Sequence, residues 1–131
     1  PVQHTAETFA LGEETILLVD DEPMVLHVTA EMLRAMGYRV HIADSGPSAI
    51  ELYESLGPSI DLVILDLVMP DMSGGDTFDH LKVMDPEVKV LLSSGYSIDG
   101  EAKAILDRGC EGFIQKPFRL EVLSQRIRGV L

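Results

Sequence analysis

The chain has 131 residues, 46% of them apolar and 24% charged, with 10 Lys+Arg against 22 Asp+Glu for a net charge of −12. That length is one ordinary domain, able to bury about two-thirds of its surface without disulfides or metals as staples. The apolar content excludes intrinsic disorder, no apolar run approaches the ~18 residues of a membrane span, and the acidity disfavours nucleic acid as a partner.

Residues 1–13 are polar and without period, and read as a tail or linker; the domain proper is expected over 14–131. The first apolar run, Thr15 to Val19, ends in Asp20 and Asp21. Pro23 suits a first helical turn, Val25, Val28, Met32 and Met36 follow at helical spacing, and Gly37 stops the helix. Tyr38–Ala43 reads as a second strand. Pro47 opens a helix carrying Ala49, Ile50, Tyr53 and Leu56, closed by Gly57-Pro58. The third run, Leu62 to Leu65, ends in Asp66, and a loop follows from Met69 to Gly75. A helix with Phe78 and Leu81 ends near Asp85-Pro86. Val88–Leu92 is a fourth strand, ending in Ser93-Ser94-Gly95. A fourth helix with Ala102, Ile105 and Leu106 stops at Gly109. Glu111–Gln115 is a short fifth strand, followed by Lys116-Pro117, and a fifth helix shows Leu120, Leu123, Ile127 and Leu131.

Five strand–helix units alternate without repeats. The first, third and fourth strands are apolar throughout, which implies a parallel sheet covered on both faces. Right-handed crossovers make this a doubly wound α/β sheet of five strands. In such sheets function gathers at the carboxyl ends of the strands. With strand order 2-1-3-4-5, Asp20, Asp21, Asp66, Ser94 and Lys116 share one edge.

Carboxylates about 4 Å apart repel by roughly 4 kcal/mol per pair at an effective dielectric near 20. The single ammonium of Lys116 is too little to relieve three of them. A hard divalent cation with oxygen ligands is the natural complement, and Mg²⁺ prefers few carboxylates together with waters and phosphate oxygens. A carboxylate beside such a cation and a lysine can act as a covalent nucleophile toward a phosphoryl group. Simple helix capping by Asp20-Asp21-Glu22 is the bland alternative. It does not account for Asp66 closing a buried run.

Four segments carry a family resemblance: Ile16-Leu17-Leu18-Val19-Asp20-Asp21-Glu22, Leu62-Val63-Ile64-Leu65-Asp66-Leu67-Val68-Met69-Pro70, Leu91-Leu92-Ser93-Ser94-Gly95-Tyr96 and Gln115-Lys116-Pro117-Phe118. Together, in this order, they resemble the receiver domain of two-component response regulators, which has a flavodoxin-like fold. The wording around Ser94 and Phe113 is similar to receivers at the C-terminus of hybrid sensor histidine kinases. The resemblance implies that Asp66 is the phosphoacceptor. It implies Mg²⁺ on Asp21, Asp66 and the main-chain carbonyl of Val68, with Asp20 acting through a water. Lys116 would bind the phosphoryl group, and its bond to Pro117 would be cis. Ser94 would be the switch hydroxyl, with Ser93 the alternative in register, and Phe113, where many relatives carry Tyr, would be either the switch aromatic or core packing. Val68 and Tyr96 would tune phosphoryl lifetime.

The expected function is a phosphoacceptor switch rather than an enzyme, with self-phosphorylation and self-dephosphorylation its only chemistry. The expected partner is a sensor histidine kinase or a histidine phosphotransfer domain. The face formed by the fourth helix, fifth strand and fifth helix would respond, and could pair in a homodimer. That end of the chain is also the less acidic one. Residues 1–100 hold 18 acids and 4 bases, residues 101–131 hold 4 acids and 6 bases. A pseudo-receiver that only binds partners is the alternative. A flavin carrier is disfavoured because Asp20-Asp21-Glu22 would repel phosphate. An aspartyl phosphatase with its nucleophile after the first strand is disfavoured because the candidate acceptor here follows the third.

Cys110 is the single cysteine. It fits a reducing compartment, so a cytoplasmic location is expected, and it reads as a small buried residue. His4, His27, His41 and His80 lack metal spacing. Met69 and Met72 read as loop packing. The chain opens on Pro1 rather than Met and shows no basic-plus-apolar leader, as a processed or excised piece would.

Overall fold

A computed structural model describes residues 12–95 and 100–131. Its elements are β1 (Thr15–Val19), α1 (Pro23–Ala35), β2 (Arg39–Ala43), α2 (Gly46–Leu56), a 3₁₀ turn (Gly57–Ser59), β3 (Leu62–Asp66), α3 (Gly74–Met84), β4 (Val90–Ser94), α4 (Gly100–Asp107), β5 (Gly112–Gln115) and α5 (Leu120–Val130). The five strands are parallel, as the apolar runs imply, and stand in the expected order β2-β1-β3-β4-β5.

Side chains along a strand point alternately to the two sheet faces. On one face Leu17, Val19, Val63, Leu65, Val90, Leu92 and Phe113 pack against Ala49, Tyr53, Phe78, Leu81, Ala102 and Ile105 of α2, α3 and α4. On the other, Ile16, Leu18, Leu62, Ile64, Leu91 and Ile114 meet Leu26, Ala30, Leu33, Leu123 and Ile127 of α1 and α5. Two cores on one sheet require strands that are apolar at every position, which is why β1, β3 and β4 lack polar alternation. The edge strand β2 leaves Arg39, His41 and Ile42 exposed.

Several boundaries move by one or two residues for identifiable reasons. Tyr38 donates its N–H to Leu33 O (3.2 Å), closing the end of α1, so β2 starts at Arg39. Val88 donates to Asp85 O (3.0 Å) in the turn around Pro86, so β4 starts at Val90 and carries Ser93 and Ser94 into its ladder. Ser45 and Ser73 cap α2 and α3, their hydroxyl oxygens accepting from Ser48 N (3.2 Å) and Asp76 N (3.1 Å). Cys110 is buried, its thiol donating to Val90 O at 3.2 Å. Met69 is buried in the first core, as its reading as loop packing implies. No helix among the described residues is long and apolar enough to cross a membrane.

Candidate functional site

Ladder hydrogen bonds carry four strand ends to one place. Asp20 follows β1 directly and donates its N–H to Ala43 O (3.2 Å) at the end of β2. Asp66 closes β3 opposite Ser93, and Leu67 N continues the ladder to Ser93 O (2.8 Å). Lys116 follows β5 and donates its N–H to Ser94 O (2.7 Å). The Lys116–Pro117 peptide is cis.

Carboxylate oxygens of Asp20, Asp21 and Asp66 all lie within 4.8 Å of one another. Asp20 and Asp66 are buried, and Asp21 is half-buried. Asp20 Oδ1 accepts from Glu22 N (3.0 Å), a tight Asx turn that holds Asp20 and Asp21 at the mouth of α1. Lys116 Nζ bridges two of the acids, 2.9 Å from Asp20 Oδ2 and 3.1 Å from Asp66 Oδ1.

The electrostatics follow from this geometry. At 4.8 Å two carboxylates repel by about 3.5 kcal/mol at an effective dielectric of 20. Burial, and then the neighbouring Asp20 charge, push the Asp66 carboxyl up to about 6 despite the opposing pull of Lys116. Burial works against the Lys116 ammonium, but its hydrogen bond to Asp20 and the fields of Asp66 and Asp20 outweigh that, so its pKa is raised overall. The cluster is therefore short of positive charge. Three oxygen donors around one point suit a small hard cation, with its remaining positions open to water or phosphate.

Asp21 and Asp66 open into a cleft of about 760 Å³ that also contains Val68, Ser94 and Lys116, with Asp20 bonded to Lys116. All five reactive residues read from the sequence are thus brought together. Ser94 is buried, with its backbone in β4. Val68 is 57% exposed on the acceptor loop. Phe113 sits in the core beneath β5 and does not line the cleft. Tyr96 lies outside the described residues. His27, His41 and His80 are exposed.

Two features escaped the sequence. Gly74 at the start of α3 donates its N–H to Leu67 O (2.9 Å), and a Cβ there would stand 2.5 Å from Asp66 O. The acceptor loop folds back onto its own strand at a distance only glycine permits. The second is on α1. Of Val25, Val28, Met32 and Met36 at helical spacing, Met36 is buried and Met32 packs partly against the second core, where Leu26, Ala30 and Leu33 also lie. Val25 and Val28 line the cleft with Met24, and Met32 and Phe118 line it too while packing partly against the second core. Met24 is 78% and Val28 51% exposed. A helix apolar on two stripes leaves one of them uncovered, and spacing alone does not say which.

These features define a doubly wound α/β domain with an acidic site at its strand ends, and comparison places the chain among known proteins. A model of the response regulator receiver domain matches residues 16–128, and the chain belongs to that family. It is 38% identical over 92% of its length to the sensor kinase CckA of Brucella abortus, of which it spans 13%. It is 31% identical over 88% of its length to the chemotaxis protein CheY of Treponema pallidum, spanning 81% of that protein. It spans about half of the transcriptional regulatory protein TcrX of Mycobacterium tuberculosis, at 35% identity. Among solved structures, a receiver domain from Clostridium thermocellum superposes with a TM-score of 0.85 at 28% identity, covering 89% of this chain and 93% of that one. Chemotaxis protein CheY in a CheX–CheY–BeF₃–Mg²⁺ complex from Borrelia burgdorferi gives 0.85 at 27%, covering 89% and 88%. Receiver domains are regulatory phosphoacceptors of two-component signalling, generally bind Mg²⁺ at an acidic pocket, and interact with histidine kinases or phosphotransfer proteins.

Proposed function

We propose that this chain is a phosphorylatable switch whose acceptor is Asp66. The observation that carries the reading is Lys116 Nζ held between Asp20 and Asp66 beside a third carboxylate, Asp21, in a cleft shared with Ser94. Residues 14–131 form the receiver and residues 1–13 a tail or linker. The 38% identity to a sensor kinase supports a place within a hybrid kinase.

The donor is a phosphohistidine on a sensor kinase or phosphotransfer partner. An Asp66 carboxylate oxygen attacks phosphorus, the O–P bond forms, and the P–N bond breaks. The imidazole nitrogen leaves with the electron pair and takes up a proton. Lys116 is positioned to shift from Asp66 to a phosphoryl oxygen while keeping Asp20. Ser94 donates its hydroxyl to another oxygen of the phosphoryl group. Asp21, Asp66 and the Val68 carbonyl, with Asp20 through a water, would hold Mg²⁺, which would supply charge neutralisation for the transferring group. The apolar strip of Met24, Val28 and Phe118 beside the acids suits an apolar helix face of the phosphohistidine partner. Ser94 and Phe113 link the new charge to α4, β5 and α5, the face that responds and can pair two copies. Val68 and Tyr96 set access of water to the acyl phosphate.

The test is labelling with acetyl phosphate and Mg²⁺. Intact mass should rise by one phosphoryl group, the rise should vanish with a chelator, and Asp66→Asn should abolish it. No labelling of the native chain makes it a pseudo-receiver. Undiminished labelling of the variant assigns the acceptor elsewhere.

A further inference from the structure

Residues 12–14 approach β1 at the end of the sheet opposite the acidic cleft, and they do not run free. Gly12 donates its N–H to Met36 O (3.1 Å), and Arg39 donates its N–H to Glu14 O (3.0 Å). The segment lies flat on the turn between α1 and β2. A Cβ on Gly12 would stand 2.4 Å from the Tyr38 ring, and one on Gly37 (φ +102°) would stand 2.3 Å from the Gly12 carbonyl oxygen. Two facing glycines make that approach possible.

The segment is also tied to α5. Arg128 Nη1, in the last turn of α5, donates to Glu14 Oε1 at 2.7 Å. That hydrogen bond holds the Glu14 carboxyl below its usual range. The Tyr38 hydroxyl and Glu14 both keep the Arg128 guanidinium pKa raised. The Tyr38 hydroxyl is buried and has no hydrogen-bond partner among the described residues. The Glu14 and Arg128 side chains are only 29% and 35% exposed. A half-exposed pair of this kind is weak enough to open reversibly.

We infer that Gly12–Glu14 is a strap clamped to α5 through Glu14 and Arg128, and that movement of α5 is passed through it to the chain N-terminal of Gly12. The clamp stands on the contacts alone. The transmission rests on the phosphoacceptor reading, in which α5 belongs to the responding face.

Amide hydrogen exchange on the full chain separates the two. Without activation, Arg128→Gln and Glu14→Gln should each speed exchange of the Gly12 amide about two- to fivefold. The core amide of Val63 should stay unchanged, and the paired swap Glu14→Arg with Arg128→Glu should restore protection. Unchanged Gly12 exchange in both single variants overturns the clamp. With Mg²⁺ and beryllofluoride as phosphoryl mimic, Gly12 exchange should change at least about twofold in the native chain and not in Arg128→Gln. A response at the Lys116 amide without one at Gly12 overturns the transmission. No response at Lys116 means the phosphoacceptor reading itself has failed and takes the transmission with it, while the clamp is still judged by the variants.

Discussion

Replacing the candidate acceptor should make the cation-free protein more stable. Asp66 is buried with Asp20 and Asp21 around it, and its carboxyl is moved from 3.8 to about 6. A shift of that size corresponds to about 3 kcal/mol of ionisation cost at neutral pH, which solvent screening in an open cleft lowers to roughly 1–2 kcal/mol. Asp66→Asn keeps the shape and removes the charge, so at pH 7.5 without divalent cations it should raise Tm by roughly 3–8 °C. The sign with pH follows from linkage. The folded chain holds the proton below about 6 and the unfolded chain releases it near 3.8, so native stability falls as pH rises through that window. The advantage of the variant should therefore shrink as pH drops below 6 and vanish near 3.8. Thermal melts with chelator between pH 4 and 7.5 measure this. A neutral or destabilising variant at pH 7.5, or a gain independent of pH, refutes the view that the acid cluster is strained without a cation.

Other perturbations read the same architecture from different sides. Asp21→Asn should leave the fold intact but shift the midpoint of the Mg²⁺-dependent Tm rise at least about tenfold higher, as a melt titrated with Mg²⁺ would record. Gly74→Ala forces a Cβ against the Asp66 carbonyl oxygen, so it should cost about 1–3 kcal/mol and slow acetyl-phosphate labelling, measured by urea unfolding and intact mass. Phe78→Ala empties a fully buried site in the core beneath α3 and should cost about 3–5 kcal/mol by urea unfolding, with labelling at the native rate below the unfolding transition.

The fold class and the set of groups at the strand ends were legible in one sequence because each is a local signal, whereas the strand order came with the family resemblance. Continuous apolar runs mean strands buried on both faces, helical spacing between them means crossovers, and a polar residue closing each run marks the functional edge. Asp20, Asp21, Asp66, Ser94 and Lys116 each stand at the end of such a run, so topology alone brings them near one another.

Tertiary packing decided the rest. Whether α1 buries Leu26, Ala30 and Leu33 or Val25 and Val28 depends on which stripe the sheet and α5 leave room for. The demand for glycine at 74 comes from the acceptor loop folding back on Asp66 O. The grip of Arg128 on Glu14 joins residues 114 positions apart. Chain order encodes what each segment can become, while close approach between distant segments depends on how the whole set of side chains fills space at once.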